Sequence, residues 1–244
     1  MNAEELRPVL IAALRGWTRH EETLRELDAA LGDGDLGITV RSGAGAAADA
    51  IDAAPADATL STLLGAAGRA FATANPSTFA ALVGGGVMAG AKAVGTIPDD
   101  DRHAASAAGR EGVLTRAASA DRGTEPVEGS AGERGYTRDD AVAFGRTVAQ
   151  RIQERGKAEL GDKTLLDALL PSLDALTEAS GGAADLCRIA AGVAHERVAE
   201  TAAWESKRGR AGWLGERSVG HADAGSTAYA LLLDELATAF EAHS

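Results

Sequence analysis

The chain has 244 residues, 45% of them hydrophobic and only 4% aromatic, and carries a formal net charge of −12. That length allows one large domain or two small ones, with enough apolar content for a real core, and the acidic balance argues against a general nucleic-acid or anionic-membrane binder, since both favour a basic footprint. The single cysteine, Cys187, excludes an intrachain disulfide and suits a reducing cytoplasm.

The N-terminal segment is acidic and lacks the apolar stretch of a signal peptide, and no apolar run approaches the ~20 residues of a membrane span. Residues 3–31 predict one long amphipathic helix, because Leu6, Leu10, Ala13, Trp17, Leu24, Leu27 and Leu31 recur at three- and four-residue steps or sums of them. The helix delivers Asp28 from its last turn. Gly32, Gly34 and Gly37 then let the chain bend, so that Asp33 and Asp35 fold back toward Asp28. Three converging carboxylates repel one another unless a cation neutralises them. A hard cation such as Mg²⁺ suits an all-carboxylate shell and keeps positions open for water and phosphate. The competing reading is a plain Asp-Gly turn. A second helix is predicted from near Ile38 to about Ala53, with Gly37 and Thr39 at its start, where free backbone N–H groups and the positive dipole end favour a phosphate.

Leu60, Leu63, Leu64, Ala67 and Phe71 mark a third helix. After the break at 74–79, Pro76 predicts the first position of a fourth helix, which runs to about Val94. Gly84, Gly85 and Gly86 lie inside it and predict a close helix crossing, since glycine otherwise weakens a helix; no strand precedes them, so a dinucleotide fingerprint is rejected. Residues 97–136 are poor in large apolar groups and read as a mobile surface insertion with a short helix at 104–118. Thr137 to Asp140 resembles a capping box and opens a fifth helix to about Arg155. A polar loop to Lys163 follows. Thr164 begins a sixth helix, which Gly181 and Gly182 break, and a seventh covers 183–206. On it Cys187 reads as core and His195 as a surface residue. A second glycine-rich loop, 209–225, gathers Arg210, Arg217, His221 and Asp223, with Trp213 and Leu214 expected to pin it to the core. The eighth helix runs from Ser226 to about Ala242. Nothing alternates long enough to suggest a sheet. The expectation is therefore a single all-α domain over 1–244, with its polar loops at one end and Arg210 facing the acidic loop across a polyphosphate. No Walker loop is present.

Three segments in this order carry a resemblance: Gly32 to Gly37, Arg155 to Leu169, and Gly209 to Gly225. Apart from roughly 97–136, the chain resembles the ADP-binding L subunit of bacterial dihydroxyacetone kinases. That resemblance implies a barrel of eight antiparallel helices with ADP or ATP at one end. It implies two Mg²⁺ ions held by Asp28, Asp33 and Asp35. It also implies nucleotide contacts at Leu36, Gly37, Ile38 and Thr39, at Pro76 and Ser77, at Gly156 and Leu165, and at Asp223, Ala224 and Gly225. Arg210 would be both a nucleotide contact and the catalytic residue. In such a system a separate K-type subunit holds the short ketose through a histidine, and the donor is ATP or a phosphotransferase-system protein. The chain departs from the family at 74–79, where a Gly-Gly-Ala-Ser-Gly loop is usual, at Leu36, where His is frequent, and at Ala224, where Pro is frequent. Four-carbon ketoses such as erythrulose join dihydroxyacetone as expected acceptors. The alternative is a nucleotide-loaded regulatory or interaction module without turnover, and a homodimer is left open.

Overall fold

The computed structural model describes residues 1–96 and 135–243. The expected insertion at 97–136, with its short helix at 104–118, lies outside the described residues except for Gly135 and Tyr136. The helices are α1 (Ala3–Trp17), α2 (Glu21–Leu31), α3 (Leu36–Asp52), α4 (Leu60–Ala74), α5 (Thr78–Thr96), α6 (Arg138–Gly156), α7 (Leu165–Glu178), α8 (Ala183–Thr201) and α9 (Ala224–Ala242). Among the described residues there is no strand.

The long first helix is broken by a 3-10 turn, Thr18–His20. Glu235 of α9 sits at this bend and binds Arg19 Nη2 and His20 Nε2, each at 2.8 Å. With α1 and α2 counted as one bent rod, the chain closes into a ring of eight. Helix α1 packs on α3, and each helix from α3 onward packs on its successor. The last, α9, returns to α1.

Small residues let the ring close. A Cβ built on Gly84 would lie 2.5 Å from the Gly68 carbonyl oxygen, so α4 and α5 meet backbone to backbone, as the glycine run predicts. A Cβ on Gly86 would press on the Val148 side chain of α6 at 2.9 Å, whereas Gly85 faces open space. Aromatic rings fill part of the interior. Trp17 stacks on Phe71 with centroids 5.8 Å apart, and its indole N–H donates to Ala228 O at 2.8 Å. Each such large side chain contributes about 2 kcal/mol of burial.

Segment Thr78–Gly95 of α5 has 18 residues and a mean hydropathy of 1.3, long and apolar enough to cross a membrane by length and composition. The expectation that no run approaches that length is too strict. Here the helix packs between α4 and α6 as one stave of the ring.

Helix boundaries follow side-chain chemistry. Capping boxes open α6 at Thr137 and Asp140 and α7 at Thr164 and Asp167. Pro76 is not the first helical residue: Ser77 accepts the Ala80 N–H at 3.0 Å, so α5 starts at Thr78 and Pro76 stands outside it. The seventh predicted helix stops at Thr201 rather than 206, because the Ala202 and Trp204 carbonyls turn aside to accept from Lys163 Nζ.

Candidate functional site

The starts of α3, α5, α7 and α9 meet at one end of the ring. Asn75, just ahead of α5, donates to Thr39 Oγ1 in the first turn of α3 at 2.9 Å. A Cβ on Gly225, in the first turn of α9, would lie 3.6 Å from the Phe79 ring of α5 and 3.8 Å from Leu165 Cβ of α7. The Ser226 hydroxyl ties α9 to Thr164 O at 2.8 Å. Each helix start carries unsatisfied N–H groups and a partial positive charge. Their convergence brings four positive dipole ends together, where Ser77, Thr164 and Asp223 each accept one of the N–H groups as caps.

The acidic loop stands beside it. Asp28 leaves the last turn of α2 and accepts the Leu36 N–H through Oδ2 at 3.3 Å. Gly34 takes φ 72°, a left-handed geometry that lets the chain reverse. Asp28, Asp33 and Asp35 thereby place one carboxylate oxygen each within 4.8 Å of one another. Asp35 precedes α3 without capping it, so its carboxylate is not spent on the helix. Burial first, then the neighbouring Asp33 and Asp28 charges, hold the Asp35 carboxyl above its ordinary range, while Arg210 opposes them. Arg210 Nη1 pairs with Asp33 Oδ1. The acidic loop and the Arg210 loop do face one another.

The remaining predicted residues divide by role. Of the run Leu36 to Thr39, only Ile38 has an exposed side chain, while Leu36 and Thr39 are buried. Gly37 has a steric reason to be glycine, because a Cβ there would collide with the Glu21 carbonyl of α2. Gly156 ends α6 against Leu82, and Leu165 begins α7. Asp223 caps α9, accepting the Ser226 N–H at 2.7 Å, and Ala224 and Gly225 form its first turn. Burial pushes the Asp223 carboxyl up, against the Ser226 hydrogen bonds.

Trp213 does not pin the second loop to the core. It is 86% exposed, and Arg217 and His221 are exposed as well. The loop is held by residues that sequence reasoning passed over. Lys163, only 1% exposed, donates to Ala202 O, Trp204 O and Ser218 O at 3.2, 2.8 and 2.7 Å. Burial lowers its pKa, against the pull of Asp223. Asp162 Oδ2 accepts from Arg208 Nε at 2.8 Å and from the Glu159 N–H at 3.0 Å. Burial alone would raise the Asp162 carboxyl, but these bonds and Lys207 outweigh it and leave it lowered. The signal within reach was the run Gly161 to Thr164 ahead of a helix, where Asp and Thr favour caps; nothing local marked Lys163 as buried.

A shallow cleft of about 550 Å³ opens beside the end of α6, lined by Gln150, Gln153, Lys157 and Arg208 among others, and none of the three aspartates lines it. His195 lies away from the site and bonds Asp234 at 2.8 Å, as a surface residue. Cys187 is half-buried rather than core, and burial raises its thiol to about 11.

The model of the DAK2 domain family matches residues 30–130 and 125–238. The chain is 34% identical over 219 residues to the L-erythrulose 1-kinase of Mycolicibacterium smegmatis, covering 89% of this chain and 32% of that protein. It is 35% identical over 97 residues to the ADP-binding subunit DhaL of the PEP-dependent dihydroxyacetone kinase of Escherichia coli, covering 38% of this chain and 46% of that one. Its fold is similar to the dihydroxyacetone kinase of C. freundii solved with AMP-PNP and Mg²⁺, with a TM-score of 0.64 at 18% identity over 96% of this chain and 33% of that one. The chain thus spans about a third of the length of that erythrulose kinase and under half of that DhaL.

Proposed function

This chain belongs to the DAK2 domain family, and from that premise we propose that it is the nucleotide- and magnesium-binding component of a short-ketose kinase, one L-type domain over its whole length. The observation that carries the reading is the meeting of three carboxylates, Arg210 and four helix starts at one end of the ring. The named relatives act on dihydroxyacetone or erythrulose, and we take a ketose of that size as the acceptor, held by a separate K-type subunit or domain.

The donor set fits the metal. Three oxygen ligands crowd together, and Asp35 is strained toward its neutral form by burial and its like-charged neighbours. Asp28, Asp33 and Asp35 would hold Mg²⁺, two ions in this reading. When bound, the metal neutralises phosphate charge and polarises the transferred phosphoryl group. The rest falls to the chain itself. The α3 start offers the N–H groups of Gly37 and Ile38 to phosphate oxygens. Asn75 fixes the Thr39 hydroxyl beneath them. The starts of α5, α7 and α9, with Ser77, Leu165 and Asp223 to Gly225, complete the anion-receptive wall. Arg210, which pairs with Asp33 at the edge of this end, would direct its guanidinium to the transferring phosphoryl group, where charge develops in the transition state. Pro76 has no N–H to give and serves by shape alone. Gly156 would border the nucleotide beyond the phosphates. The lone cysteine is consistent with a cytoplasmic setting.

Calorimetry with ADP tests this directly. Binding should need Mg²⁺ and vanish in EDTA; absence of any Mg²⁺-dependent binding would refute the site. A K-type partner, ATP or a phosphorylated phosphotransferase protein, and dihydroxyacetone or erythrulose should then yield phosphorylated sugar. A chain that binds nucleotide yet never supports turnover with any donor would instead be a regulatory module.

A further inference from the structure

We infer that Lys163 is a positioning residue: its ammonium clamps the base of the loop that carries Arg210 and so sets where the guanidinium stands over the acidic cluster. The inference rests on the reading of that end as a Mg²⁺–nucleotide site.

The geometry is specific. An ammonium has three N–H donors and no acceptor, and Lys163 Nζ meets three carbonyls, Ala202 O, Trp204 O and Ser218 O. Two of these lie where the chain leaves α8, and the third lies at the end of the 3-10 segment Ala211–Ser218. Arg210 rides between them. One buried cation therefore gathers both feet of the excursion. Ser218 Oγ reinforces the base by accepting the Ser206 N–H at 2.8 Å, and the Gly220 N–H donates to Ala202 O at 2.8 Å.

Lys163 also stands on the other partner of this contact. It precedes Thr164, the N-cap of α7, and keeps φ 58°, a left-handed geometry unusual for a residue with a side chain. Thr164 O in turn receives the Ser226 hydroxyl of α9. The clamp thus references the Arg210 loop to two of the helix starts that form the anion site. Outside the clamp the loop is exposed, with Lys207, Arg208, Gly209 and Arg210 all open to solvent. Asp162 helps through Arg208, but it holds only the near foot. No arginine can replace Lys163, because a planar fork does not present three converging donors to three carbonyls.

The test is a double-mutant cycle on ADP binding in the presence of MgCl₂, with wild type, Lys163→Met, Arg210→Ala and the double variant. Lys163→Met should weaken binding about 10- to 100-fold, as a displaced contact does, while circular dichroism and the α-helical melting remain those of a folded ring. The double variant should lose no more than the weaker-binding single variant, because both act through the same guanidinium. Losses that multiply would overturn the inference. Should Lys163→Met not fold, Lys163→Gln takes its place in the cycle: its amide keeps two donors for the backbone carbonyls but lacks the third and the charge, and the same sub-multiplicative loss is expected. A multiplicative result there would again overturn it. A wild-type chain that binds no Mg²⁺–ADP would bring down the site reading and this inference with it, whereas intact wild-type binding with independent losses removes only the role of Lys163.

Discussion

The two loops that face each other across the site are built on opposite principles. The acidic loop, 28–36, has three carboxylates, a hydrogen bond from the Leu36 N–H to the Asp28 side chain and an exposed ion pair from Asp33 to Arg210. The loops at 157–164 and 202–223 are laced together by a buried lysine, a buried aspartate and a series of bonds to backbone groups. The first crowds like charges together, a repulsion that a cation would relieve in the proposed reading. At its base the second ties Lys163, Asp162 and Arg208 to one another and to backbone groups, and serves as scaffold for Arg210. An excess of one charge sign is where the proposed reading puts the ligand, and buried charge satisfied by hydrogen bonds is where it puts the frame.

Removing charge should therefore have opposite effects in the two regions. Replacing Asp33 and Asp35 together by Asn should weaken Mg²⁺-dependent ADP binding by about 100-fold or more, read by calorimetry, with no loss of melting temperature in metal-free buffer. In the scaffold, Asp167 is buried and accepts the Gly161 and Thr164 N–H groups at 2.6 and 2.7 Å. Asp167→Ala should cost about 2–3 kcal/mol in denaturant unfolding, because two N–H groups lose a charged acceptor. If instead the acidic pair proved the more destabilising, the contrast would be reversed and the site reading with it.

A smaller effect comes from Asp35 alone. Its carboxyl is raised by burial and by Asp33 and Asp28. A raised native value means that its contribution to stability is present below the ordinary carboxyl range and is lost as pH rises through the native value. Asp35→Asn should therefore stabilise the metal-free fold at neutral pH by about 0.5 kcal/mol after solvent screening. That gain should vanish on acidification below the ordinary carboxyl range, and millimolar Mg²⁺ should favour the wild type instead. The smallest change belongs to Trp213. Since it is exposed, Trp213→Ala should alter stability by no more than about 0.5 kcal/mol, measured by thermal melting.

Local chemistry determined much of this protein. Apolar spacing of three and four, capping residues such as Thr137 and Thr164, and the glycines at 84 and 86 foretold helices, their starts and a close crossing, because each depends on neighbours within a turn or two. The grouping of Asp28, Asp33 and Asp35 was legible for the same reason: all three sit within eight residues, on a chain that glycine lets reverse. Long-range contact decided the rest. The bend at Thr18–His20 arises at Glu235, more than two hundred residues away. Gly37 answers to the α2 backbone, and Trp213 stays outside because Lys163 holds its loop instead. A lysine followed by a threonine looks like a solvated turn in sequence. Only when three carbonyls from a distant segment close around its ammonium does burial become affordable, and that depends on the tertiary structure.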